Sequence, residues 1–194
     1  MNQAELDALQ ETAERAKDCQ KCRLSPTRTQ VVWGTGNPAN GVVFIGEAPG
    51  FNEDKKGIPF CGKAGGILDR LLLSGGLRRP DVYITNIVKC RPPENRDPEP
   101  DEISACSEYL DRQLALINPR IICCLGRHAL AVMLKKYDLS AEGSITKLHG
   151  RVFTAGNNLF STVNIVAFYH PAVATYNPGM FPVLQKDFAV LKTL

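Results

Sequence analysis

Apolar positions recur along the chain at two spacings. Leu6, Leu9 and Ala13 fall three to four residues apart, which predicts a helix over residues 3–18 closed by the CxxC of Cys19 and Cys22. "VVFIG" at 42–46 is a short β-rich run ending in glycine, followed by a loop over 47–62. In "KAGGILDRLLLSGG", Ile67, Leu68, Leu71 and Leu72 share one helical face, and Gly75 with Gly76 can end the helix. "DVYITNIV" predicts a strand over 81–88. Asp97 then reads as a cap with Pro98 at the first helical position, and Ile103, Cys106, Leu110 and Leu114 carry helical spacing on to Asn118 and Pro119. "RIICCLG" predicts a strand over 120–126 and the next residues a helix over 127–135. Residues 137–149 give no clear pattern. "RVFTA" and "VNIVAFYHP" read as strands, and a short helix over about 182–193 completes the chain.

This order of strands and helices is that of an α/β fold. Short, continuously apolar strands suit a mainly parallel sheet covered on both faces, a three-layer α/β/α sandwich formed by residues 1–194 as one domain. In such folds the functional loops gather at the carboxyl ends of the strands. Three polar stretches belong there: the loop after 46, the loop after 88, and "HPAVATYNP" after 169.

Composition changes this picture little. A content of 44% hydrophobic and 22% charged residues suits a compact chain, and no apolar run approaches the roughly 20 residues that cross a bilayer. The N-terminal residues show neither a basic leader nor an apolar core, so a cytoplasmic protein without membrane contact is expected. A formal charge of +3 is no argument for nucleic acid, since local charge binds a phosphate backbone. The seven cysteines are too few for a disulfide framework at this length, and their placement is more informative. Cys123 and Cys124 are adjacent in a strand, face opposite ways and read as small hydrophobes. Cys61 lies in a loop. Cys19, Cys22, Cys90 and Cys106 sit at element boundaries or on the first turns of a helix and can be proposed as a four-sulfur metal site, for zinc or for an iron–sulfur cluster. A thiol redox pair at Cys19 and Cys22 is the competing account, weakened because no strand precedes this CxxC.

The loop residues suggest chemistry. "GEAPG" after an apolar strand resembles a phosphate-binding turn, yet "GKAGG" lacks the P-loop spacing and no GxGxxG is present. What remains is a set of Glu47, Glu53, Phe60, Asn86 and His170 that suits a planar polar heterocycle. Phe60 can stack on a ring, Asn86 can offer donor and acceptor to a base edge, and His170 can donate to an oxygen gaining negative charge. Each also has a plain reading, as core aromatic, backbone cap, structural histidine or solvated loop charge. Their shared position at strand ends is what lifts the group. His128 and His149 read as structural. Lys89, Arg91 and Arg96 add positive charge near prospective phosphates, although Glu94 and Asp97 leave the segment 89–97 at only +1.

"CQKCRL", "GEAPGFNEDKKGIPFCGKAG", "VYITNIVKCRPPENRDPEPDE" followed by Cys106, and "HPAVATYNP" together resemble the family 4 uracil-DNA glycosylases, the iron–sulfur type of bacteria and archaea. The resemblance spans nearly the whole chain and implies a uracil-DNA glycosylase-like fold. It implies a structural [4Fe-4S] cluster on Cys19, Cys22, Cys90 and Cys106 in place of zinc. It further implies Phe60 stacked on uracil, Asn86 reading the Watson–Crick edge, and His170 facing the uracil O2. Glu53 falls beside the C5 edge, where it can obstruct a thymine methyl, and the backbone at Ala48 belongs to the pocket wall. Family 1 enzymes carry an aspartate where this chain has Ala48, which leaves the water-activating group open, with Glu47 the candidate. The stretch Ala172 to Tyr176 resembles the loop that enters DNA, with Val173 or Tyr176 as its wedge.

The implied activity is hydrolysis of the N-glycosidic bond of deoxyuridine in single- or double-stranded DNA by a monomeric enzyme. A noncatalytic module that only binds uracil-bearing or damaged DNA is the alternative, motivated by the alanine at 48.

Overall fold

The computed structural model of the chain describes residues 1–158 and 161–194. Helix α1 (Gln3–Lys17) starts at a reciprocal cap: Asn2 Oδ1 accepts the Glu5 N–H at 3.0 Å and the Glu5 carboxylate accepts the Asn2 N–H at 2.7 Å. There follow β1 (Thr35–Gly36), β2 (Val42–Gly46), α2 (Phe51–Lys56), α3 (Lys63–Ser74), β3 (Tyr83–Asn86), α4 (Pro100–Ile117) and β4 (Ile121–Leu125). The remainder is α5 (Arg127–Lys136), α6 (Ile145–Leu148), β5 (Val152–Asn158), β6 (Ser161–Phe168), α7 (Val173–Tyr176) and α8 (Phe181–Phe188), with a closing 3-10 turn at Ala189–Thr193.

Among the described residues the strands form one six-stranded sheet in the order β1-β3-β2-β4-β6-β5. The central strands β3, β2, β4 and β6 are parallel, and β1 and β5 close the edges antiparallel. Burial on both faces follows from the strand alternation. Val43, Ile45, Ile122, Cys124 and Ile165 point into a core shared with Leu9 of α1, Leu110 and Leu114 of α4, and Leu130 of α5. Val42, Phe44, Ile121, Cys123 and Phe168 point to the other, against Leu68, Leu71 and Leu72 of α3 and Leu184 and Phe188 of α8. The result is the expected single-domain three-layer α/β/α sandwich. Cys123 and Cys124, fully buried on opposite faces, are core side chains.

Chain order places β3 and β4 on opposite sides of β2, so the winding reverses at the carboxyl end of β2. An open crevice forms at such a reversal.

Two local expectations fail for stated reasons. β3 ends at Asn86, although the chain stays buried through Lys89 as the Ile87 and Val88 amides bond to Gly46 O and Glu47 O. Helix α4 begins at Pro100, not Pro98, and Glu99 is its cap. The buried Glu102 carboxylate accepts the Glu99 N–H at 2.8 Å and two N–H groups of Arg96, which fixes the start two residues later and frees Asp97 to turn elsewhere. Among the described residues no helix is long and apolar enough to cross a membrane.

Candidate active site

The parallel strand ends deliver the chemistry. β2 leads into Glu47 and Ala48, β3 finishes on Asn86, and β6 runs through Tyr169 to His170. These residues line one cavity of about 300 Å³ together with Glu53 of α2 and Phe60 of the loop before α3. That volume lies at the small end of the range for ligand pockets. The sequence-level group of Glu47, Ala48, Glu53, Phe60, Asn86 and His170 is thus brought together in space.

Phe60 adopts a positive φ of 51°, uncommon for a bulky residue and a backbone cost held by its surroundings. Its carbonyl accepts Arg79 Nη2–H at 2.9 Å, and Glu53 Oε1 accepts the next two amides, Cys61 and Gly62, each at 2.9 Å. The ring, with the residue 7% exposed, lies 5.5 Å from the His170 ring at 31°. Gly46 makes this approach possible. A Cβ there would sit 2.4 Å from Asn86 Oδ1 and 2.6 Å from Phe60 Cζ. Gly46→Ala is therefore expected to displace both side chains and to lower kcat/KM by about 10- to 100-fold on the uracil DNA that the sequence resemblance implies, the scale of an overpacked site. Circular dichroism should show the fold intact; an unchanged kcat/KM would mean that neither side chain's placement matters.

Asn86 is 1% exposed, and its Oδ1 has no hydrogen-bond partner within the protein. A buried amide oxygen without a partner is costly, which marks a place reserved for a donor from a ligand. Asn86 is held from behind, because its carbonyl accepts Lys89 Nζ–H at 2.7 Å. The same ammonium donates to Thr85 Oγ1 at 2.7 Å and to Gln113 Oε1 at 2.6 Å. Lys89 is itself 1% exposed, so it does not face DNA phosphates as expected: its stem packs in the core and three acceptors hold its charge inside. Burial pulls its pKa down to about 7.

His170 Nδ1 accepts the Ala172 N–H at 3.2 Å. That bond places the ring proton of the neutral imidazole on Nε2, leaving an N–H free to donate. Burial lowers the His170 pKa to about 4 against the small opposing pull of Glu53, so the ring is neutral near pH 7.

Glu47 is half-buried, and burial pushes its carboxyl above the usual range, opposed by His128 and reinforced by Asp97. Asp97 Oδ2 accepts Arg127 Nη2–H at 2.5 Å and lies 3.1 Å from His128 Nε2, which in turn lies 3.9 Å from Glu47 Oε2. Burial would raise the Asp97 carboxyl, but these bonds prevail and hold it below its ordinary range. Sequence reasoning missed Asp97 and His128 in this setting. The signal was present: His128 follows Gly126 at the carboxyl end of β4, the same edge that singled out Asn86 and His170.

At the rim, Arg96 lines the cavity, but its guanidinium grips Glu102 at 2.6 and 2.9 Å, which largely cancels its charge toward a phosphate. Arg91 is partly exposed, bonded to Asn95 Oδ1 at 2.7 Å and set 5.2 Å over the Phe51 ring. Of the two wedge candidates, Tyr176 lines the cavity and is 89% exposed, whereas Val173 is half-buried and outside the lining.

A second, smaller cavity is lined by Cys19, Cys22, Cys90 and Cys106, with Arg28 and Tyr109 beside them. Ion pairs of Lys21 with Glu108 and of Arg23 with Asp101 fasten the CxxC turn to α4. Cys90 Sγ accepts Arg28 Nη1–H at 3.6 Å and Cys106 Sγ accepts the Lys89 amide at 3.3 Å. Burial pushes the Cys90 thiol up to about 12 and raises that of Cys106, so charged sulfur here needs a metal's compensation. One ion bonded to four sulfurs at about 2.3 Å would draw them to within about 3.8 Å of each other. Among the described residues, the group whose ligand atoms all lie within 4.8 Å is Glu47, Asp97 and His128, and no three of these cysteines meet that condition. A cavity ringed by four sulfurs, two of them accepting N–H groups, suits a centre held by four thiolates.

Fold and pocket together define a class, and the family model of the uracil DNA glycosylase superfamily matches residues 33–192. The type-4 uracil-DNA glycosylase of Saccharolobus solfataricus is 48% identical over 189 residues, covering 96% of this chain and 86% of the relative. Those of Sulfurisphaera tokodaii and Archaeoglobus fulgidus are 45% and 44% identical, covering 97% and 94% of this chain and 86% and 91% of the relatives. The chain belongs to the type-4 uracil-DNA glycosylases, a family that implies an iron–sulfur cluster.

Proposed function

We propose that this protein hydrolyses the N-glycosidic bond of deoxyuridine in DNA, releasing uracil and leaving an abasic site for base excision repair in the cell interior. The observation that carries the reading is the unpartnered Asn86 Oδ1 in a cavity that also presents the Phe60 ring and a free His170 N–H. Uracil offers an N3–H donor to Asn86 Oδ1 and an O4 acceptor to its amide NH₂. Cytosine reverses both, and unmatched buried hydrogen bonds discriminate more strongly than a lost or gained methyl does.

The nucleotide leaves the stack to reach this cavity, at a cost of a few kcal/mol that is smaller at a mismatch. Tyr176, exposed at the cavity, is the wedge in this reading, and the partly exposed Arg91 beside Phe51 is a contact to the backbone. Phe60 stacks on the flipped base. As the bond to C1′ lengthens, charge gathers on the base and His170 Nε2–H meets it at O2, while Glu47 stands on the side where the sugar becomes cationic. The neutral imidazole keeps its Nε2–H, so it can hydrogen-bond the anion without a proton transfer. Among the described residues no lysine lines the cavity, which favours hydrolysis by water over Schiff-base chemistry.

Glu53 forms the wall beside the base. Its replacement by alanine is expected to raise activity on thymine relative to uracil by about 10-fold or more, the scale of one methyl in a pocket. Uracil activity should also fall, because the amides of Cys61 and Gly62 lose their acceptor. Paired T:G and U:G oligonucleotides give the ratio, and equal discrimination in variant and parent would remove Glu53 from the wall.

Cys19, Cys22, Cys90 and Cys106 hold a [4Fe-4S] cluster in this reading, with a structural role that ties the N-terminal helix to α4 and to the segment after β3. The enzyme acts as a single chain on single- or double-stranded DNA. Incubation of cluster-loaded protein with U:G, U:A and single-stranded U oligonucleotides, followed by cleavage at abasic sites, tests the activity.

A further inference from the structure

Glu47 faces the cavity on one side and, on the other, meets Asp97 and His128. Its carboxylate shares a 4.8 Å neighbourhood with Asp97 and His128, and Arg127 adds a guanidinium that donates to Asp97 and, through Nε–H, to His128 Nε2 at 3.0 Å. The group thus carries its own cation. Two carboxyls this close do not both ionise freely unless one is compensated, and here the Arg127 guanidinium compensates Asp97.

We propose that Asp97 and His128 are positioning residues for catalysis: they orient the Glu47 carboxylate toward the attacking water and leave it as the group that accepts that water's proton. The inference rests on the glycosylase reading. In the step, the water oxygen bonds to C1′ as the bond from C1′ to uracil N1 breaks, and the electron pair of that bond leaves with the base. The water proton passes to Glu47, the hydroxyl stays on C1′ of the abasic sugar, and Glu47 later returns its proton to solvent. Asp97, with Arg127 holding it, stays charged throughout.

The groups facing Glu47 are His128 and Arg127 from α5 and Asp97 from the loop before α4, with Glu53, Arg96 and His170 around the same cavity. Single-turnover rates against pH on a uracil oligonucleotide separate their roles. Glu47→Gln should slow the reaction by about 100-fold or more and erase its acidic limb. Asp97→Asn removes a neighbour that raises the Glu47 carboxyl and should move that limb to lower pH, whereas His128→Gln removes one that opposes the rise and should move it to higher pH. Both residues lie toward the surface, and melting curves together with binding of uracil DNA report on fold and affinity separately. A Glu47→Gln enzyme with the parent's rate and limb overturns Glu47 as the base, and no uracil release from the parent overturns the glycosylase reading itself. With Glu47→Gln slow, limbs that stay put, or move the same way in both partner variants, overturn the positioning role alone.

Discussion

His170→Ala is expected to reduce kcat on uracil DNA by about 100- to 1,000-fold while changing KM far less. That is the scale on which a preorganised donor to a developing oxyanion acts. The effect belongs to the transition state because the ground-state carbonyl draws little from the donor and the departing base draws much. His170→Gln, which keeps a side-chain N–H, should recover part of the loss; His170→Phe, which keeps only the packing beside Phe60, should not. The pH behaviour follows from a folded pKa of about 4 against an ordinary value of 6.5. Because the folded value is the lower, the unfolded chain binds the proton first. Stability is at its full value above about 6.5 and declines as pH falls toward 4. The alanine variant should lose this acid sensitivity while losing activity, and stopped-flow rates with pH-dependent melting measure both. A variant with near-parent kcat would place the oxyanion elsewhere.

Cys106→Ala is the other large effect, and it differs in kind. Cys106 lies on α4, its sulfur accepts the Lys89 amide, and its three partners come from the CxxC turn and the segment after β3. In the proposed cluster, loss of this ligand would remove a cross-link between regions remote in sequence. The metal's contribution to folding is on the order of 10 kcal/mol in small structural sites, comparable with the whole stability of a domain. Expected results are protein without the brown colour of the parent, largely insoluble or melting well below it. Asn86→Ala, only four residues from Cys90, should keep both colour and melting temperature and lose activity. The two variants separate fold support from base reading along one short stretch of chain. A soluble, colourless Cys106→Ala protein with the parent's melting temperature would show that the cluster supports nothing.

Much of this was legible in the sequence, for physical reasons. Continuous apolar runs such as "VVFIG" and "IICCL" announce two-sided parallel strands, and the residues directly after them fall at the carboxyl edge whatever their identity. Asn86 and His170 could be picked on that basis. What failed depends on partners far along the chain. Lys89 reads as a surface cation beside Arg91, but Gln113, 24 residues on, supplies the acceptor that keeps it inside. Asp97 reads as a helix cap, yet Glu102 and Arg96 set the start at Pro100 and leave Asp97 for Arg127 and His128. The positive φ of Phe60 has no local signature, because no glycine or asparagine stands there; the long-range bonds from Arg79 and Glu53 sustain the loop. The edge strand β1 is two residues long, too short for any periodicity to reveal.

The central claim is that the pocket cuts a bond rather than only holding a base. Incubating the cluster-loaded protein with an oligonucleotide that carries one deoxyuridine, and separating the products by chromatography, reads this directly. The account predicts free uracil released in equal amount to abasic sites, with release slowed strongly in the His170→Ala protein at undiminished DNA binding. Tight, uracil-dependent binding with no free uracil would contradict it and leave a recognition module in place of an enzyme.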